Sequence, residues 1–313
     1  MSALPLTSAD PRVVTPPMTH ADIASALILA GLSAYLLFGG ADFGAGIWHL
    51  LSRERIGDQR VIERAMGPLW EAHHLWLALV LLLSWTAFPA LFADVVTAYR
   101  LPLGLAGLGL LARGGASVFA QVAPGRFRLE SLLEALSLLT PYFLGAVAAA
   151  VVTGEPSWMS VSGVYGGALT TSLCAYLAAV RLIWDARRVG DQDVLLHFQG
   201  YAIVSGVTIG LFAIPGALAL GVGSPLILVS ALAGLASIVL VVRRRFRAVR
   251  VTGALAVVSV LWGAASMAHL DLSGTVAGNA VLDMVFAAIG AGALVLVPSA
   301  AWVLVQRGSA ARA

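Results

Sequence analysis

Residues 67–92, GPLWEAHHLWLALVLLLSWTAFPALF, carry Glu71, His73 and His74 near their start and no further charge until Asp94. The run is longer than the roughly 20 apolar residues that cross a bilayer as an α-helix. It therefore decides for a membrane protein, and it raises a question about its own first turns. A charged side chain at the centre of a membrane helix costs about 2.5–3.5 kcal/mol on insertion scales, so ionisable groups held in lipid are candidates for function.

The rest of the 313-residue chain repeats the apolar pattern, with 59% hydrophobic and 11% charged residues and a mean hydropathy of +0.91. No soluble domain needs so much apolar surface. The pattern predicts an all-α, polytopic fold of nine spans, at about 23–48, 69–92, 101–122, 131–153, 160–184, 199–221, 225–242, 251–270 and 281–305. Residues 1–20 hold Pro5, Pro11, Pro16 and Pro17 and have neither a basic start nor an apolar centre, so they read as a flexible leader and not as a signal peptide. Residues 21–313 then form the transmembrane helical domain.

All 19 basic residues are arginine, and their placement orients the chain. Arg53, Arg55, Arg60 and Arg64 follow the first span, and further arginines follow the third, fifth, seventh and ninth. The intervening loops hold only Arg12 and Arg100, while Arg113 falls inside a span. Because loops rich in arginine stay in the cytoplasm, the amino terminus is expected outside and the carboxyl terminus inside. The cluster Arg243-Arg244-Arg245-Phe246-Arg247 is then a loop against anionic lipid headgroups and not a nucleic-acid site. Trp48, Trp158 and Trp302 lie near span ends and fit an interfacial belt. Asp271 and Asp283 read as solvated loop acids on the outer side. The single cysteine, Cys174, lies within a span and offers neither a disulfide nor a thiolate metal site.

With this orientation Asp42 sits six to ten residues from the inner end of the first helix, about 9–15 Å deep at 1.5 Å per residue. Glu71 and His74 occupy the same leaflet, three residues apart and so on one helical face, while His73 points elsewhere. A carboxylate and an imidazole within reach of each other make a proton relay. The small residues from Gly39 to Gly46 allow close helix approach, which would bring Asp42 against the second helix.

Four ordered motifs carry a resemblance. Gly40-Ala-Asp42-Phe-Gly44-Ala-Gly46, Gly67-Pro68-Leu-Trp70-Glu71-Ala-His-His-Leu-Trp76, Ala87-Phe88-Pro89 and Tyr99-Arg-Leu101-Pro102-Leu are similar in order and spacing to subunit II of cytochrome bd-type quinol oxidases. The close likeness covers about residues 38–115. It implies a complex in which subunit I carries the b-type and d-type haems and the quinol site, with room for a small third subunit. Subunit II would bind no haem or metal itself, form two four-helix groups plus a peripheral helix, and serve proton and dioxygen access. On this resemblance Asp42 and Glu71 match acids of the proton pathway, Glu71 standing where Asp is usual. Trp70 and Trp76 match family tryptophans, Trp76 near the gas route, and Arg113 matches a basic residue of the third helix. An arginine at that depth needs a carboxylate, carbonyl or cofactor partner. The chain departs from the family at Gly39, near His73, and near Val118 and Ala120, where charged or amide residues are usual.

Other readings start from the same residues. Glu71-x-x-His74 has the spacing of carboxylate di-iron bundles, but no second copy occurs. A membrane cytochrome would use His73, His74 or His269 as haem ligands. A proton-coupled transporter would use Asp42 and Glu71, with the sixth helix broken near Pro215. A purely structural partner subunit would keep the acids without conducting protons.

Overall fold

The computed structural model describes residues 18–52, 54–66, 70–122, 127–220, 224–268, 270, 272–292 and 294; the side chains at 66, 70–73, 117–122, 127–130, 214–220 and 273 lie outside the description. All regular structure among these residues is helical. Helix α1, His20–Leu51, starts on a capping box in which the Thr19 hydroxyl accepts from the Asp22 amide while the Asp22 carboxylate accepts from the Thr19 amide. Six stretches are long and apolar enough to cross a membrane: α1; residues 131–153, from α6 (Phe127–Ser137) into α7 (Leu139–Thr153); α8 (Val161–Val189); residues 192–213 of α9 (Gln192–Leu220); α10 (Pro225–Val242); and α11 (Phe246–Met267).

The quoted run behaves differently from the expected straight span. Helix α3, Trp70–Ala87, stops at Phe88, and α4, Pro89–Ala98, leaves at 115° to it. Proline supplies no amide and its ring clashes with the preceding turn, so the hydrogen-bond ladder ends there although the apolar composition continues. Pro89 instead opens α4, where a missing amide costs nothing. The bend is held by Ala24, Ala87, Phe88 and Leu282, which pack together, and by the Ala277 amide donating to the Ala87 carbonyl at 2.8 Å. Beyond it run α5 (Arg100–Val122), the single turn α12 (Leu272–Thr275) and an apolar helix α13 (Asn279–Gly292).

Helix α8 is the hub, packing against α1, α7 and α9, with α2 (Ile56–Met66) and α11 adding smaller contacts. Small residues set its distances. A methyl placed on Gly44 of α1 would lie 1.9 Å from the Cys174 carbonyl oxygen, and Gly40 packs on the Cys174 sulfur. The small face of α1 therefore meets α8, not the second helix as its composition suggested. Contact with α3 comes higher up, where Gly31 admits Val80. Cys174 is accordingly a packed core residue, 1% exposed.

The main apolar core lies at the arginine-rich end. Trp48, expected in an interfacial belt, is buried in it: its indole N–H donates to the Ala175 carbonyl at 2.8 Å and its ring stacks on Tyr201 at 4.5 Å. Amphipathic α2 lays Val61, Ile62 and Ala65 onto this core and so closes that end of the bundle.

Candidate proton site

Asp42, His49 and the gap at Gly46 lie on one face of α1, at positions i, i+7 and i+4. Helix α5 brings Arg113 to this face. Its Nε donates to one carboxylate oxygen of Asp42 at 2.9 Å and its Nη2 to the other at 2.7 Å. Both side chains are almost fully buried, at 3% and 1% exposure. A forked guanidinium matches the two carboxylate oxygens, so the pair is neutral as a unit and can stay in a dry interior. Gly46 lies beneath the pair, where an added methyl would make only ordinary contacts, 3.6 Å from Arg113 Nη1 and 3.7 Å from the Ser137 hydroxyl.

The same face continues toward the arginine-rich end with a second pair. His49 Nδ1 and Glu134 Oε2, from α1 and α6, are 2.7 Å apart. Glu134 is 5% exposed and His49 15%, so the imidazole is the more open end of the pair. Glu134 also acts electrostatically on Arg113. Buried acids and bases therefore run Asp42, Arg113, Glu134, His49 from the interior toward that end, and a proton can pass between a carboxylate and an imidazole across so short a hydrogen bond.

A small pocket opens beside Asp42 between α1, α2 and α8, lined by Phe38, Ala41, Ala45, Ala65, Ala178 and Arg181 among others. It has space for about one water. A further acid and histidine pair ties α2 to α9, with His197 Nδ1 3.1 Å from the buried Asp58. At the opposite end the exposed Asp283, solvent-facing as expected, also meets His20 at 3.0 Å.

Of the residues singled out in the sequence, the structure joins Asp42 to Arg113, giving the buried arginine the carboxylate its depth demands. His74 is half-buried on α3, and Trp76, on the same helix, is 38% exposed. The side chains of Trp70, Glu71 and His73 lie outside the described residues, as do His269 and Asp271, so the Glu71–His74 contact is not among the observations. Glu134 and His49 were missed. Glu134 was the first acid of a predicted span and His49 stood seven residues after Asp42; both signals were present in the sequence.

Among the described residues no three His, Cys, Asp or Glu side chains are grouped to hold a metal ion. The family model described as cytochrome bd terminal oxidase subunit II matches residues 20–306. The chain belongs to that family. A Bacillus subtilis (strain 168) relative, the cytochrome bd ubiquinol oxidase subunit 2, is 22% identical over 213 residues, which cover 61% of this chain and 61% of the relative. The match thus spans less than two thirds of that relative's length. The bd oxidase from Geobacillus thermodenitrificans has a chain of the same fold, with a TM-score of 0.70 and 18% identity over 92% of this chain and 98% of that one. Family membership accounts for the four motifs that the sequence displayed, and no observation favours the transporter or the membrane cytochrome.

Proposed function

We propose that this bd oxidase subunit II chain pairs with a haem-bearing subunit I in the bacterial cytoplasmic membrane, in a complex that oxidises quinol and reduces dioxygen to water. The complex is the quinol:oxygen oxidoreductase; this chain supplies proton access and binds no haem of its own. The reading rests on family membership. The observation that carries the proton role is the buried sequence of Asp42, Arg113, Glu134 and His49 along α1.

In the proposed topology the arginine-rich end faces the cytoplasm, the amino terminus lies outside and the carboxyl terminus inside. The nine-span count adds the bent α3–α4 pair, α5 and a last span begun by α13 to the six long helices, in two four-helix groups with one peripheral helix. His49 then opens to the cytoplasm, and protons enter through it and Glu134 toward Asp42. Glu71 and His74, at the start of the next helix in the same leaflet, form a second arm of this entrance. Trp76 lines the gas route.

The test uses the assembled complex carrying Glu134→Gln, Glu71→Gln or Asp42→Asn, with quinol oxidation and the reduced-minus-oxidised haem spectrum measured together. Glu134→Gln keeps a hydrogen-bonding group but cannot ionise, and it is expected to slow turnover by more than about tenfold, a modest part of what proton transfer groups contribute, with haem content unchanged. Full turnover in all three variants would defeat the proton role. Loss of haem would make the residues structural.

A further inference from the structure

Charge is distributed unevenly around the arginine-rich end. Glu54, Asp58 and Glu63 balance most of the arginines near α2, whereas on α8 and α11 arginines gather with little compensation. Arg181, Trp184, Asp185 and Arg188 lie at i, i+3, i+4 and i+7, on one face of α8. From α11, the Arg250 guanidinium stands over the Trp184 ring, 5.4 Å from its centroid, a cation–π contact that fixes its position. Three guanidinium groups thus gather around Asp185, the other acid near Arg181 being Asp42, which Arg113 already holds.

The Asp185 carboxylate does not satisfy them. Arg181 Nε and Asp185 Oδ2 are 3.8 Å apart, too far for a hydrogen bond. The Arg181 Nε–H and the Trp184 indole N–H are buried donors without an acceptor, and Asp185 Oδ2 beside them is a buried acceptor without a donor, leaving two unmatched donors to one acceptor. Unmatched buried donors are uncommon because each forfeits its hydration, and here two sit three residues apart among excess positive charge. Outward from Arg250, α11 continues with exposed Val251 and Leu255, and its neighbour α10 with exposed Leu235, Val239 and Val242. A ligand that fits both features has an anionic oxygen-rich head and an apolar body.

We propose that Arg181, Arg188, Arg250 and the Trp184 N–H hold the phosphate of an anionic phospholipid of the arginine-rich leaflet, whose acyl chains lie along the exposed face of α10 and α11. Guanidinium groups grip phosphate oxygens in forked pairs, and the indole N–H adds a neutral donor. A zwitterionic lipid fits poorly, because its ammonium group would enter a cluster already in cationic excess. Arg181 also lines the small pocket beside Asp42, so the lipid site adjoins the proton site, but a lipid count reads its occupancy without reference to the proton route.

The test reconstitutes the two-subunit complex in phosphatidylcholine nanodiscs doped with phosphatidylglycerol and counts the lipids retained after detergent exchange by native mass spectrometry. The parent is expected to retain phosphatidylglycerol in preference to phosphatidylcholine. The double variant Arg181→Gln/Arg250→Gln should lower that retention by about tenfold or more, the scale of losing charge-assisted contacts. Trp184→Phe, which keeps the ring under Arg250 and removes the N–H, should lower it less, and it carries the test should the double variant fail to assemble. Arg60→Gln/Arg64→Gln makes the same charge change on α2, where both arginines are exposed, and should leave retention as in the parent. Equal retention of the two lipids, parental retention in both the double variant and Trp184→Phe, or an equal loss in the α2 control would overturn the proposal. So would displacement of the lipid by inorganic phosphate, or a parent that retains no phosphatidylglycerol.

Discussion

Arg113 and Asp42 illustrate how a buried charge pair constrains substitution. Removing either partner leaves an uncompensated charge in the interior and is expected to cost about 3–5 kcal/mol, whereas removing both costs less because nothing is left unpaired. In the purified complex, Asp42→Asn and Arg113→Gln should each lower the midpoint of thermal unfolding more than the double variant does. Losses in the double variant equal to the sum of the singles would mean that the two side chains do not act as a pair. At this scale the sequence was informative but incomplete. Arg113 announced a missing carboxylate by its depth, yet two acids, Asp42 and Glu71, were available, and periodicity within one helix cannot say which neighbour a side chain reaches. Glu134 was overlooked because it stands in the first turns of its span, where an acid reads equally well as a solvated end.

Elements meet where side chains shrink. The 1.9 Å separation between a methyl built on Gly44 and the Cys174 carbonyl oxygen leaves no rotamer to relax, since the obstacle is backbone. Gly44→Ala should therefore force α1 and α8 apart, costing about 1–3 kcal/mol as overpacking does, and should reduce the yield of assembled complex. Gly104→Ala on α5, where no atom lies within 4 Å of the added methyl, is its control. Equal yields for the two would show that the α1–α8 approach tolerates a methyl. The small-residue motif was legible as a close-contact face, but its partner was not: glycines advertise approach without specifying by what. The bend at Phe88–Pro89 was hidden for a related reason. Hydropathy continues smoothly through Pro89, and what changes there is a hydrogen bond, which composition does not register.

The arrangement of the whole chain rests on the arginine asymmetry, and it can be checked with the protein's own cysteine economy. Cys174 is buried and should react little with a membrane-impermeant maleimide. Asp191→Cys, in the turn between α8 and α9, should label only when the cytoplasmic side is opened, and Glu155→Cys, after α7, from outside intact cells. Labelling of Glu155→Cys from the cytoplasmic side would invert the topology. Span positions were readable along most of the chain because lipid demands continuous apolarity, and family membership was readable because four motifs stand in order. The burial of Trp48 was not, because an amphipathic helix that folds over a bundle end turns an apparent interface into core. The contact between Gly44 and Cys174 has a mechanical corollary. Two backbones in direct contact cannot ratchet past one another, so α1 and α8 act as a single strut. On the proposed proton role, the path along this strut's flank then runs on a fixed frame, as in a stationary conductor and not a piston.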